Sequence, residues 1–125
     1  MSVNKKLRAS GEDYLETIFQ LRKQKGAIRS VDVVAETGYS KSSVSRAVNL
    51  LKEKQYVTID TKGFIELTEL GYGTANGIYE RHKILTQYFI AIGVGAEAAE
   101  TDACQIEHVI SSETFNAIKN VFEKK

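Results

Sequence analysis

Apolar residues fall at helical spacing in six stretches of the chain and alternate with polar ones in a single place. Tyr14, Leu15, Ile18, Phe19 and Leu21 form a stripe that predicts a first helix over residues 10–24, capped by Ser10 and stopped by Gly26. A short second helix over residues 31–37 opens at Ser30 and closes at Gly38. Ser40 caps a third, reaching about Gln55, whose Val44, Ala47, Val48, Leu50 and Leu51 share one face. The period then changes: Tyr56-Val57-Thr58-Ile59-Asp60 and Phe64-Ile65-Glu66-Leu67 flank Thr61-Lys62-Gly63, which predicts a hairpin. Thr68 caps a long fourth helix to Ile92, with Gly71, Gly73 and Gly77 loosening its start. A fifth is predicted over residues 96–110 and a sixth over residues 113–123, the latter carrying Phe115, Ile118, Val121 and Phe122.

Two short helices joined by a glycine-containing turn, followed by a hairpin, have the outline of a winged helix-turn-helix. The pattern thus predicts a mainly α protein with a winged-helix domain over residues 1–70 and a helical domain over residues 71–125. The stripe on the last helix has nothing after it to cover it, which predicts a symmetric homodimer.

Composition adds two exclusions. No stretch is apolar enough for a membrane span, and Met1-Ser2-Val3-Asn4-Lys5-Lys6 lacks the apolar run of a signal peptide, so a cytoplasmic protein is expected. The single cysteine forms no intrachain disulfide. Charge adds more. The formal net charge of +1 conceals two opposed segments. Residues 40–63 carry Lys41, Arg46, Lys52, Lys54 and Lys62 against Glu53 and Asp60, whereas residues 97–113 carry Glu97, Glu100, Asp102, Glu107 and Glu113 with no Lys or Arg. One segment suits a polyanion and the other a cation.

The basic segment contains the third helix, which begins Ser40-Lys41-Ser42-Ser43-Val44-Ser45-Arg46. Small hydroxyls at Ser40, Ser42 and Ser43 permit close approach to bases and phosphates, or simply cap the helix and face water. Lys41 and Arg46 reach a phosphate or a guanine edge, and Lys62 at the hairpin tip lies along the DNA backbone. The acidic segment contains Cys104-x-x-Glu107-His108, whose i, i+3, i+4 spacing puts thiolate, carboxylate and imidazole on one helix face. Such a trio suits a divalent transition metal; the alternative is a partly buried thiol beside a surface Glu-His pair.

Glu12-Asp13-Tyr14-Leu15-Glu16, Ser42-Ser43-Val44-Ser45, Leu67-Thr68, Arg81-His82 and Asp102-Ala103-Cys104-Gln105-Ile106-Glu107-His108 together resemble the DtxR/MntR family of metal-dependent repressors, over essentially the whole chain. The resemblance implies the short two-domain type without the SH3-like domain of larger members, and a metal-activated homodimer that binds palindromic operators in double-stranded DNA. It implies that Asp13, Glu16, His82, Cys104, Glu107 and His108 hold one or two ions per subunit. Asp13, Cys104, Glu107 and His108 would hold one ion, with Glu16, His82 and Glu107 nearer the second. Two departures bear on the metal. Members resembling manganese regulators have carboxylate where this chain has Cys104, and those resembling iron repressors have thioether where it has Asp13. A thiolate pulls toward iron(II) and the carboxylates toward manganese(II), so iron(II) is expected first and manganese(II) close behind. Thr86 stands where the family has an ancillary-site carboxylate.

Other function classes fit these residues less well. No glycine-rich loop or oxyanion donor pair suggests an enzyme with a small-molecule substrate. A metal-independent winged-helix regulator with Cys104 as a redox sensor is the alternative, against which the acidic neighbourhood argues by raising the thiol pKa.

Overall fold

The computed structural model describes residues 9–124, so the N-terminal stretch read above for a leader lies outside the described residues. The chain divides into two compact units, Met1–Asn76 and Gly77–Lys125.

The first unit contains α1 (Ala9–Lys25), β1 (Ile28–Arg29), α2 (Ser30–Thr37), α3 (Lys41–Glu53), β2 (Val57–Ile59), β3 (Phe64–Leu67) and the start of α4 (Glu69–Ala91). The predicted apolar stripe of α1 is its core face, with Leu15, Ile18, Phe19 and Leu21 buried. Ser10 is not its cap, because the helix already includes Ala9 and Ser10 lies inside the first turn. α2 starts one residue earlier than predicted: Arg29 takes the cap position, and its backbone N–H donates to the Asp32 carboxylate at 2.8 Å. Gly38 ends α2 in the left-handed region (φ 76°), where a residue without a Cβ carries no penalty. Ser40 caps α3 as expected, its Oγ accepting the Ser43 N–H at 3.1 Å.

The hairpin forms in register, Val57 opposite Leu67 and Ile59 opposite Ile65. Its turn is organised by Asp60, whose Oδ1 accepts the N–H groups of Lys62 (2.8 Å) and Phe64 (2.9 Å). Periodicity did not predict β1. Its two residues add an antiparallel third strand beside β3, Ile28 opposite Ile65, giving the order β1-β3-β2. Arg22 ties α1 to the sheet by donating to the Ile65 carbonyl at 2.9 Å. α4 is helical from its first turn, contrary to the expected loosening, and Gly71 has a packing role there. A Cβ at that position would overlap the backbone carbonyl oxygen of Tyr56.

The second unit holds the rest of α4 together with α5 (Ala96–Ile106) and α6 (Ser112–Glu123). Ile84, Leu85, Ala103 and Phe115 form its core, with Phe89, Ile106, Ile110, Ile118 and Phe122 packed around them. Ser111 caps α6, accepting the Thr114 N–H at 3.1 Å. α5 stops at Ile106, short of the predicted residue 110, and the chain continues as a hydrogen-bonded turn: Glu107 N–H to Ala103 O and Ile110 N–H to Ile106 O, both 2.9 Å. Ile90, Ile92 and Val121 stay exposed in the single chain. No described helix is long and apolar enough to cross a membrane.

Candidate metal centre and nucleic-acid interface

In the first unit, α3 buries Val44, Val48 and Leu51 and turns Lys41, Ser42, Ser45, Arg46 and Asn49 to solvent. At its start Ser40 Oγ lies 3.3 Å from Ser42 Oγ and 3.0 Å from Ser43 Oγ, a hydroxyl cluster that leaves little bulk between the helix end and an approaching surface. Arg46 stands close enough to Tyr14 to matter electrostatically: burial pushes the Tyr14 phenol up, Tyr39 adds to the rise, and the Arg46 charge pulls it back. The Tyr14 and Tyr39 rings pack in a tilted arrangement, centroids 5.7 Å apart. Lys62 is exposed at the hairpin turn. Ser40, Lys41, Ser42, Ser43 and Arg46 thus share the first turns of one helix, and Lys62 occupies the wing. Asn49 was missed. Its amide donates to Ser45 Oγ at 3.4 Å, and the 42, 45, 49 spacing puts it in line with the exposed serines.

In the second unit, α4 and the turn after α5 bring His82, Glu107 and His108 together. Glu107 is buried, its side chain fully so, and each of its oxygens meets an imidazole: Oε1 lies 2.9 Å from His82 Nδ1, and Oε2 lies 3.4 Å from His108 Nε2. The His108 side chain is 5% exposed and that of His82 23%. His82 Nε2 faces Glu100 Oε2 at 3.9 Å, a neighbour the sequence reading did not single out although Glu100 precedes Cys104 by one helical turn. Cys104 is exposed on α5. The predicted single face is therefore divided between one solvent-facing group and two core-facing ones. Asp13, exposed, and Glu16, half-buried, belong to α1 in the first unit. Among the described residues, no group of three or more His, Cys, Asp or Glu side chains is placed to hold a metal ion.

The donor chemistry nevertheless fits a divalent transition ion: imidazole and carboxylate suit borderline cations, and a thiol adds softness. The Thr86 hydroxyl, its Oγ1 buried on α4, has no hydrogen-bond partner among the described residues. It is neutral, and so a weaker donor to a cation than the carboxylate the family resemblance places there.

The family model for the iron dependent repressor N-terminal DNA binding domain matches residues 6–73, and that for the iron dependent repressor metal binding and dimerisation domain matches residues 68–124. The chain is 31% identical to the transcriptional regulator MntR of Escherichia coli O6:H1 over 113 residues, which cover 90% of this chain and 73% of the relative. It is 32% identical to the HTH-type transcriptional regulator MntR of Listeria welshimeri over 114 residues, 91% of this chain and 80% of that one. The solved structure of the metal-dependent transcriptional regulator MtsR aligns with a TM-score of 0.82 at 21% identity, over 98% of this chain. This chain spans 55% of that protein's length, and at such identity the likeness concerns the fold alone.

Proposed function

The chain belongs to the iron-dependent repressor family, whose members are metal-dependent transcriptional repressors of metal homeostasis, and from that premise we propose that it binds palindromic operators as a homodimer whose DNA-binding units are ordered by a divalent ion. Asp13 and Glu16 from α1 join His82, Cys104, Glu107 and His108 as ligands. Glu107 is the observation that carries this reading. A carboxylate without exposed surface, held between two imidazoles, is costly to keep in a small core unless its charge is used. The bound ion supplies the positive charge that lets these acids lie together.

The chain's own residues convert that event into DNA affinity. α1 carries Asp13 and Glu16 on the same helix as Leu15 and Ile18, core residues of the DNA-binding unit, so holding α1 holds the recognition helix α3 with it. Two such helices must enter successive major grooves about 34 Å apart, and restricting their motion beforehand lowers the entropic cost of binding. Arg46 and Lys41 contact phosphate or guanine edges, the serines Ser40, Ser42 and Ser43 allow close approach, and Lys62 adds salt-sensitive affinity.

Iron(II) is the preferred activator, with manganese(II) close behind, because the Cys104 thiolate favours the softer ion in an otherwise hard ligand set. One or two ions per subunit would be held, the second less securely because Thr86 stands in place of a carboxylate. The metal-loaded form acts in the cytoplasm and represses genes of metal uptake.

Fluorescence anisotropy tests the switch, using a palindromic duplex selected from a randomised pool by the manganese-loaded protein. Saturating manganese(II) or anaerobic iron(II) is expected to tighten binding by about 5- to 150-fold over chelator-treated protein, the usual span of allosteric coupling. Equal affinity in both conditions would sink the proposal.

A further inference from the structure

We propose that Arg81 is the positioning residue of the metal centre: it fixes the backbone of the turn carrying Glu107 and His108, and so sets the metal concentration at which the protein responds. The inference rests on the metal-centre reading above. Arg81 Nη1 donates to the carbonyl oxygens of Glu107 (3.2 Å) and Ile110 (3.3 Å), and Nη2 donates to Ser112 Oγ (3.2 Å). Its guanidinium carbon lies 5.6 Å from the centre of the Phe115 ring, an anchor in the core of the same unit.

The need for such a group follows from where α5 ends. The helix stops at Ile106, so the carbonyls that follow have no continuing turn of helix to satisfy them. The arginine takes two of them with one planar fork and reaches the first residue of α6 as well. His82 is the next residue on α4 and holds the Glu107 carboxylate at 2.9 Å. Two consecutive residues of one helix therefore grip Glu107 at both ends, Arg81 at the backbone and His82 at the side chain. With only the side chain held, the peptide between Glu107 and His108 could rotate and carry the second imidazole away. With both held, the backbone of the ligand turn is fixed. Lysine offers a compact point charge with no fixed fork, so it cannot serve both carbonyls and the serine in the same way.

The test uses the full chain, stripped of metal, with manganese(II) affinity measured from the EPR signal of the unbound ion and ligand identity read from the cobalt(II) absorption spectrum at saturation. Arg81→Lys and Arg81→Gln are expected to bind manganese(II) about 10- to 100-fold more weakly, the usual loss when an outer partner of a ligand is removed. At saturation, the Arg81→Lys cobalt(II) spectrum is expected to overlay that of the unsubstituted protein, because the ligating atoms are unchanged. Wild-type affinity in a folded Arg81→Lys protein overturns the inference. So does an altered cobalt(II) spectrum, which would mean that Arg81 decides which atoms ligate. Should Arg81→Gln fail to fold, Arg81→Lys decides alone. Glu107→Gln separates the two claims: if it binds manganese(II) like the unsubstituted protein, the metal-centre reading falls and takes this inference with it. If Glu107→Gln loses binding while Arg81→Lys does not, only the role of Arg81 falls.

Discussion

A carboxylate taken out of water must shed its charge or find donors, and Glu107 has a hydrogen bond with His82 at one oxygen and the His108 ring 3.4 Å from the other. The arrangement is fragile in one direction only. Removing the charge while keeping the shape costs the resting protein little, since a neutral amide avoids desolvation and still offers one acceptor to His82. The same change removes the group best suited to balance a divalent ion. Glu107→Gln is therefore expected to leave the thermal midpoint of the metal-stripped protein unchanged or slightly raised. It should also abolish the stabilisation that manganese(II) confers, about 2.7 kcal/mol for the unsubstituted chain at a hundredfold excess over its Kd. Calorimetry with and without manganese(II) measures both. An equal metal-induced rise in the two proteins would place the ion elsewhere.

At the scale of elements, packing decides what periodicity leaves open. Gly71 looks in the sequence like a defect in α4, yet the helix passes so close to the end of β2's lead-in that only a residue without Cβ fits against the Tyr56 carbonyl. That carbonyl already accepts the Thr68 backbone N–H at 3.0 Å and the Thr68 hydroxyl at 3.1 Å, so it has little freedom to retreat. Gly71→Ala is expected to cost about 1–3 kcal/mol, the usual price of overfilling a packed site. Gly73→Ala, which meets nothing within 4 Å, is expected to gain up to about 1 kcal/mol from helix propensity. Urea unfolding followed by circular dichroism distinguishes them, and the same sign for both would refute the contrast. The elements that sequence made legible are those with local causes: the stripes of α1 and α3, the Ser40 cap, and the alternation of the hairpin. The elements that escaped have distant causes. β1 is two residues long and exists because Ile28 pairs with Ile65. The early end of α5 is stabilised by Arg81, 26 positions before Glu107. The site divides in the same way. Cys104, Glu107 and His108 announced themselves by spacing, but the exposure of the thiol and the burial of the carboxylate depend on how α5 meets its neighbours, which spacing does not encode.

For the whole molecule, the segregation of charge becomes a statement about linkage. The chain divides between Asn76 and Gly77 into two compact units, with the basic recognition helix in the first and the acidic segment of residues 97–113 in the second. A ligand bound wholly within one unit stabilises that unit, whereas a ligand drawing donors from both stabilises both, by an amount bounded by its binding free energy. The proposed ligand set makes the ion a ligand of the second kind through Asp13 and Glu16. Amide hydrogen exchange in α3 reports on it, because Val44, Val48 and Leu51 are buried and their amides exchange only when the first unit opens. Manganese(II) at a hundredfold excess over its Kd is expected to slow those amides by up to about 100-fold in the unsubstituted chain. In Asp13→Ala the ion is expected still to bind, more weakly, through the proposed ligands His82, Cys104, Glu107 and His108. Protection of the turn after α5 should then still rise when manganese(II) is raised to the same multiple of the weakened Kd, while protection of α3 should respond far less. If α3 gains the same protection in Asp13→Ala as in the unsubstituted protein, α1 contributes no ligand through that residue, and DNA affinity must be coupled to metal by a route that bypasses the opening helix.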